Sequence, residues 1–381
     1  MKVLTVTSSF PRYQGDYYGN FVYNVCRKLA EKGIDVTVLA PRSRSTRDLS
    51  AGFEVKRFPF MPFRGLETLP EGALRHVSER EFLELPFYLA SAYLRMVLER
   101  PHVVHAHFAI PMGLLAALNP REAPLVVTCH GSDCTLPLAK PVYRPFVELA
   151  LRRADKVVAV SEFIKGLALR LGAPEDAVEV VYLGIDVEEF NPPEDRKELR
   201  REAGIPEDCL VVGTLRRLVP EKRVEDLIRA APRISGEIDA HFVVGGEGFH
   251  RPYLERLSRE LGVENISFLG GVEDAARFHQ LCDVWVLTSV QEGLSIALQE
   301  AMATGCVPVA VNGYGCPELI RDGVNGYLFE PRDIEGLAEK VLRAADSPEL
   351  GRRARETILD RFNMNRNVVR YVELYGELVS R

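Results

Sequence analysis

The sequence predicts an α/β protein built as two doubly wound domains. Three observations carry that expectation. Strand-length apolar runs alternate with helix-length amphipathic segments along nearly the whole chain. The alternation halts at a polar, proline-containing stretch and then restarts. A length of 381 residues also exceeds what one hydrophobic core usually serves.

The first series opens on the apolar run "KVLTVTSS" (2–9). It is followed by "NFVYNVCRKLAEKG" (20–33), with helical spacing and a closing glycine, and by "DVTVLAP" (35–41), apolar again. That order is a βαβ unit. "HVVHAHF" (102–108), "PLVVTCHG" (124–131) and "KVVAVS" (156–161) continue it as buried parallel strands. The second series holds "CLVVGTL" (209–215), "AHFVVGGEG" (240–248), "NISFLGG" (265–271), "DVWVLTS" (283–289), "CVPVAV" (306–311) and "NGYLFEP" (325–331). The join falls in "YLGIDVEEFNPPED" (182–195), giving domains over 1–183 and 196–361 with a linker at about 184–195. "NRNVVRYVELYGELVSR" (365–381) has the spacing of an amphipathic helix. Two Rossmann-like domains of this kind leave an interdomain cleft along the carboxyl ends of both sheets. The chemistry is therefore expected in the loops that follow the strands.

Composition narrows the function classes. No run of 18 apolar residues occurs, and "MKVLTVTSSFP" begins like a strand rather than a signal peptide. Seven cysteines, odd in number and without a CxxC pair, fit free thiols and a cytoplasmic setting. The net charge of −6 argues against nucleic-acid binding. Its distribution is uneven: residues 1–185 carry 23 Lys and Arg against 19 Asp and Glu, the remainder 25 against 35. Basic "PRSRSTR" (41–47) and aromatic "RFPFMPF" (57–63) raise the expectation of peripheral contact with an anionic membrane.

The segment "QEGLSIALQEAMATG" (291–305) concentrates the chemistry. A helix is expected from about Ser295 to Ala303, with Gly305 just beyond its end. The amides of Leu294, Ser295 and Ile296 would then be free, and a helix start with free N–H groups suits a phosphate. Gly293 removes bulk where backbone and ligand must meet. Glu300 lies roughly 7–8 Å further along the axis, far enough to serve another part of the same ligand. An ionised carboxylate only accepts hydrogen bonds, and a ribose diol offers two donors. Arg217 and Lys222, in the loop after "CLVVGTL", can neutralise charge growing on a diphosphate. His130, after the strand "PLVVTC", can hydrogen-bond a sugar hydroxyl or manage protons, with Asp133 shaping its loop. His105 and His107 alternate along one strand and are expected on opposite faces, so that only one, taken as His107, reaches the ligand edge. "GGEG" (245–248) does not follow the first strand as a GxGxxG, which disfavours a nicotinamide cofactor. No Asp-x-Asp occurs, and Cys129, His130 and Cys134 match no zinc spacing, so no metal is expected.

Glu-Gly followed by Glu-Ala-Met-Ala and then "GCVPVAVNGYGCPELIRDGVNGYLFEPRD" resembles the retaining glycosyltransferases of the GT4 family, which have the GT-B fold. The likeness extends to "SSFPRYQGDYYGNFV", "VVHAHFAIPMG", "VTCHGSD", "RRLVPEKR", "VVGGEG" and "FLGGV". It implies donor-binding roles for Gly19, Gly246, Gly293, Leu294, Ser295, Ile296 and Glu300. It also implies catalytic roles for His130, Glu292, Arg217 and Lys222. The terminal helix, 362–381, is implied to complete the first, acceptor-side domain, the second domain holding the nucleotide sugar. The chain departs from the family pattern where Arg216 and Arg223 replace glycines, Leu183 an asparagine and Ser295 a proline or glycine.

The expectation is a metal-independent, retaining transferase that moves a sugar from a UDP-, GDP- or ADP-sugar to a hydroxyl of a glycan, lipid-linked or small-molecule acceptor. The resemblance implies front-face displacement. The alternatives are a sugar-nucleotide 2-epimerase of the same architecture and a non-catalytic nucleotide-sugar-binding subunit.

Overall fold

The computed structural model describes residues 1–43, 45–47, 49, 51–59, 79–120, 123–290 and 292–380, with side chains of the helix Glu79–Leu98 described from residue 85. The chain divides into two compact units, Met1–Leu183 with Met364–Arg381, and Gly184–Asn363.

The first unit holds β1 (Lys2–Val6), β2 (Asp35–Pro41), β3 (Glu54–Phe58), β4 (Val103–His107), β5 (Leu125–Cys129), β6 (Lys156–Ala159) and β7 (Val178–Val180). They form one sheet in the order β3-β2-β1-β4-β5-β6-β7. The second unit holds β8 (Leu210–Leu215), β9 (Ala240–Gly245), β10 (Ile266–Gly270), β11 (Val284–Leu287), β12 (Val307–Val311) and β13 (Tyr327–Phe329). Their order is β10-β9-β8-β11-β12-β13. Every pairing between these strands is parallel. Each sheet reverses its strand order once, beside β1 and beside β8, so each unit is Rossmann-like.

Parallel strands covered on both faces must be apolar at every position, and β4, β5 and β12 are buried throughout. β3, "EVKRF", lies at a sheet edge with one face half-solvated, so charged residues interrupt it and no apolar run foreshadows it. β7, three residues long at the other edge, is equally silent in the sequence.

The terminal helix Met364–Val379 buries Val368, Tyr371, Leu374, Tyr375 and Leu378 within the first unit. The Tyr375 hydroxyl lies 2.6 Å from His105 Nδ1. In the second unit Asp283, at the foot of β11, accepts from Arg200 Nη2 at 2.6 Å and Arg196 Nη1 at 3.0 Å. It also accepts from the Val211 backbone N–H at 2.9 Å. One carboxylate thereby anchors the helix Arg196–Glu202 to the amino edge of the sheet, leaving the carboxyl edge to the loops discussed next. All seven cysteines are free thiols and six of them are buried. Among the described residues no helix is long and apolar enough to cross a membrane.

Candidate active site

In the second unit β8 runs out at Leu215, and Arg216 and Arg217 follow at its carboxyl edge. Arg216 turns inward, its side chain only 5% exposed, and Nη2 reaches Glu292 Oε1 at 2.7 Å. Lys222 Nζ binds the same oxygen, also at 2.7 Å. Burial alone would raise the Glu292 carboxyl, but Lys222 and then Arg216 outweigh it and hold it down at about 2. Glu292 is therefore an acceptor only, and among the described residues both of its cation contacts fall on Oε1. The Arg217 guanidinium, by contrast, has no hydrogen-bond or ion-pair partner among the described residues. Of the two cations expected to meet a diphosphate, Arg217 is free and Lys222 is already engaged. Arg216, passed over in sequence as a departure from a glycine, is the third cation of the cluster.

The helix after Glu292 spans Ile296–Ala303, so Ser295 is its cap rather than its first residue. The Ser295 hydroxyl accepts the Leu298 N–H at 3.3 Å. The backbone N–H groups of Leu294, Ser295 and Ile296 have no partner among the described residues. Gly293 joins this helix start to Glu292. Gly305 follows the helix in the left-handed region at φ +82°. Four residues into the helix, Glu300 faces the buried His279, with Nε2 and Oε2 3.3 Å apart. Gly246 adopts φ +112°, and a Cβ there would collide with the Arg216 carbonyl. Its glycine is thus required by backbone packing at the turn after β9.

The first unit gathers histidines. His105 and His107 are both fully buried on β4, and their ring centroids are 4.3 Å apart. The expectation of opposite faces is wrong: side chains alternate along a strand, so positions two apart share a face. His107 Nδ1 lies 2.9 Å from His130 Nε2. His105 Nε2 lies 2.7 Å from Thr128 Oγ1. His130 is half-buried, and with Nε2 engaged its Nδ1 has no partner among the described residues. Phe21 and Phe108 flank its ring with centroids 4.8 and 4.7 Å away. Phe108 has φ +72°, a strained conformation for a non-glycine residue, at the corner that brings its ring there. Burial pushes His130 and His105 down to about 3 and His107 well below its ordinary value. A neutral His130 hydrogen-bonds; it does not carry charge at neutral pH.

Asp133 ties the loops together by accepting the N–H groups of Ala109 (2.9 Å), His130 (3.1 Å) and Gly131 (2.9 Å). The ligating atoms of Cys129, Asp133 and Cys134 lie within 4.8 Å of one another. Both Asp133 oxygens are nevertheless occupied by backbone donors, so the cluster is the loop's own hydrogen-bonded core. Gly19, with φ +69°, precedes the helix Asn20–Glu31, and a Cβ there would strike the backbone of Ser9 and Phe10.

The buried histidines make stability depend on pH. Their folded values lie below the ordinary 6.5, so between about 3 and 6.5 the unfolded chain binds more protons. Their contribution is complete above about pH 6.5 and is lost as the pH falls toward 3. Glu292, lowered from 4.5 to about 2, contributes above 4.5 and weakens only below that. Melting temperature is expected to fall between pH 7 and 5, each histidine approaching about 1.4 kcal/mol per pH unit. In His105→Phe that slope becomes shallower, whatever the absolute stability; an unchanged slope would show that His105 does not titrate this way.

Two family models cover the chain in succession: Glycosyltransferase Family 4 matches residues 19–189, and Glycosyl transferases group 1 matches 195–360. N-acetyl-alpha-D-glucosaminyl L-malate synthase of Bacillus anthracis is 28% identical over 334 residues, covering 84% of this chain and 87% of that one. The GDP-mannose-dependent alpha-(1-6)-phosphatidylinositol monomannoside mannosyltransferase of Mycobacterium tuberculosis is 27% identical, covering 89% and 88%. Among solved structures, sucrose-phosphate synthase of Thermosynechococcus elongatus superposes with TM-score 0.84 at 18% identity, covering all of both chains. Anabaena Alr3699/HepE in complex with UDP gives 0.79 at 20%, covering 99% of this chain and 100% of that one. These structures establish the GT-B fold, and the family models, matching both halves in order, place this chain among the family 4 glycosyltransferases.

Proposed function

We propose that the enzyme is a retaining, metal-independent transferase that moves a sugar from a nucleotide-diphosphate sugar to an acceptor hydroxyl. One observation carries this reading. Arg216 and Lys222 bind the Glu292 carboxylate, Arg217 follows Arg216 in the chain, and the helix start after Glu292 has N–H groups at Leu294, Ser295 and Ile296 with no partner among the described residues. Three cations against one anion leave net positive charge where a diphosphate needs it, and no metal is required to supply it.

The diphosphate binds the N–H groups of Leu294, Ser295 and Ile296 and the unpaired Arg217, with Gly293 giving room. Glu300 accepts from the ribose hydroxyls. Glu292, fixed through Oε1, offers Oε2 to a hydroxyl of the transferred sugar. The acceptor oxygen bonds to the anomeric carbon on the face from which the C–O bond to phosphate breaks. The electron pair leaves with the phosphate oxygen, which also takes the acceptor's proton. His130, neutral, offers Nδ1 to a substrate hydroxyl, while His107 and Asp133 hold its ring and loop. Gly19 in the first unit and Gly246 in the second each shape the loop that carries them. The second unit thus holds the nucleotide sugar and the first serves the acceptor.

The donor class is a UDP-, GDP- or ADP-sugar; UDP is bound in the solved relative and GDP-mannose serves the mannosyltransferase. The acceptor is a glycan, lipid-linked or small-molecule hydroxyl, as malate and a phosphatidylinositol mannoside are for the two relatives by name. A cytoplasmic setting with peripheral attachment to an anionic membrane fits the helix Glu79–Leu98. There Phe87, Leu94 and Leu98 are 58, 64 and 73% exposed, at positions that share a helix face. Phe58 of "RFPFMPF" is fully buried against Tyr88 and is not available to lipid; residues 60–63 lie outside the described residues.

Three measurements test the reading. Glu300→Gln should weaken donor binding with a smaller effect on single-turnover rate, because ribose binding is shared by ground and transition states. Glu292→Gln should instead lower kcat by roughly ten- to a hundredfold, matching about 1.5–3 kcal/mol for a hydrogen bond to a charged group. It also strips buried Arg216 of its counter-charge, so thermal melting must accompany the kinetics. Normal donor binding in the first variant, or normal turnover in the second, would end this division of labour. Activity should be unchanged by EDTA; loss reversed by Mg²⁺ or Mn²⁺ would overturn metal independence. The protein should sediment with anionic vesicles and not with neutral ones, and negligible binding to both would remove the membrane from the account.

A further inference from the structure

We infer that His279 is a positioning residue for nucleotide recognition, holding the Glu300 carboxylate in the orientation that receives the ribose diol; the inference rests on the proposed ribose role of Glu300. His279 lies on the helix Ala275–Gln280 and is fully buried. Its Nε2 is 3.3 Å from Glu300 Oε2. Glu300 itself is 18% exposed, and its other oxygen has no partner among the described residues. One oxygen is therefore tethered to the interior while the other remains available to a ligand.

The chemistry of the pair fixes the proton. An ionised carboxylate only accepts, so the hydrogen sits on Nε2 and the Nδ1 lone pair faces inward. Nδ1 is buried and has no partner among the described residues. The ring stands among Phe190, Phe278 and Trp285, with centroids 6.2, 5.8 and 5.7 Å away. A phenylalanine would fill that aromatic box without burying an unpaired nitrogen, which is costly. What imidazole adds over phenylalanine is the Nε2–H directed at Glu300. The position of the ring is itself anchored, since the His279 carbonyl accepts from the Cys306 thiol at 3.2 Å and the Cys282 N–H at 3.1 Å. A rigid donor of this kind removes the torsional freedom that a glutamate would otherwise lose on meeting the ligand.

The test measures Kd for UDP, GDP and ADP and for their 2′-deoxy counterparts, carried forward with the diphosphate that the wild type binds most tightly. The wild type should prefer the ribonucleotide, and Glu300→Gln should lose most of that preference. His279→Phe should weaken ribonucleotide binding by roughly two- to tenfold, the range expected when one side chain is no longer pre-ordered. Binding of the 2′-deoxynucleotide, which keeps only one of the two hydroxyls, should weaken less, so the ribo-to-deoxy ratio falls. His279→Gln, whose amide N–H reaches the position of Nε2, should restore the preference, whereas the shorter His279→Asn should not. The Gln and Asn pair reads the same point if the Phe variant fails to melt cooperatively. A folded His279→Phe or His279→Asn with the wild-type ratio of ribo to deoxy affinity would overturn the inference while leaving Glu300 in its role. A wild type indifferent to the 2′-hydroxyl, or a Glu300→Gln that keeps the preference, would overturn the ribose reading and the inference with it.

Discussion

The donor half of the proposed chemistry depends on one shared oxygen. Glu292 Oε1 takes charge-assisted hydrogen bonds from both Arg216 and Lys222 at 2.7 Å. A carboxylate buried beside two cations cannot take up a proton at any working pH, and two donors on one oxygen leave its torsions little freedom. The same bonds draw together the loop after β8 and the loop after β11, next to the helix start at Ile296. Removing Glu292 leaves the buried Arg216 without its counter-charge, whereas removing either cation leaves the other on the same oxygen, so the carboxylate is the member on which the triad depends. Its rigidity suits a site in which the leaving group carries most of the developing charge and the protein contributes pre-set electrostatics.

The first unit solves a different problem with neutral groups. His105, His107 and His130 occupy β4 and the start of the loop after β5, where among the described residues none of them has a carboxylate partner and the nearby Asp133 is engaged by backbone donors. Burial keeps the rings uncharged: His105 is engaged at both nitrogens, His107 Nδ1 meets His130 Nε2, and His107 Nε2 is buried with no partner among the described residues. The terminal helix takes part through the Tyr375 hydroxyl at His105, so the last residues of the chain steady the histidines encoded in its middle. A charged site on one unit and a neutral, hydrogen-bonding one on the other fit a diphosphate and a hydroxyl acceptor respectively.

Much of this was legible in the sequence, for identifiable reasons. Doubly covered parallel strands must be apolar, so runs such as "DVTVLAP" and "CVPVAV" announce themselves, whereas β3 and β7 at the sheet edges do not. The helix start is legible to within one residue, at Ser295 rather than Ile296, because a serine and a closing glycine bracket the helix. The parity of His105 and His107 was misread although the strand period settles it. Arg216 and His279 were not legible: whether an arginine at a strand end turns inward, or a helical histidine finds a carboxylate on the next helix, is decided by packing between segments distant in sequence.

Three of the four departures from the family pattern, all but Leu183, share a physical logic. At Arg223 the backbone takes the left-handed conformation, φ +49° and ψ +40°, that a glycine would adopt without strain. That costs an arginine about 1–2 kcal/mol. The same side chain places Nε and Nη2 on the two oxygens of Asp226, at 2.7 and 2.6 Å, and a hydrogen bond between charged groups is worth about 1.5–3 kcal/mol. The pair offsets the strain that creates it. Arg216 likewise takes a glycine's place and binds Glu292, and Ser295 takes a proline's or glycine's place and caps the helix through Leu298. In each case a side-chain bond sets the loop that elsewhere relies on an absent or cyclic side chain. Loops held this way keep their shape only while their partners stay charged or hydrogen-bonded. Their geometry is therefore tied to side-chain bonds at Glu292, Asp226 and Ser295 rather than to the backbone alone.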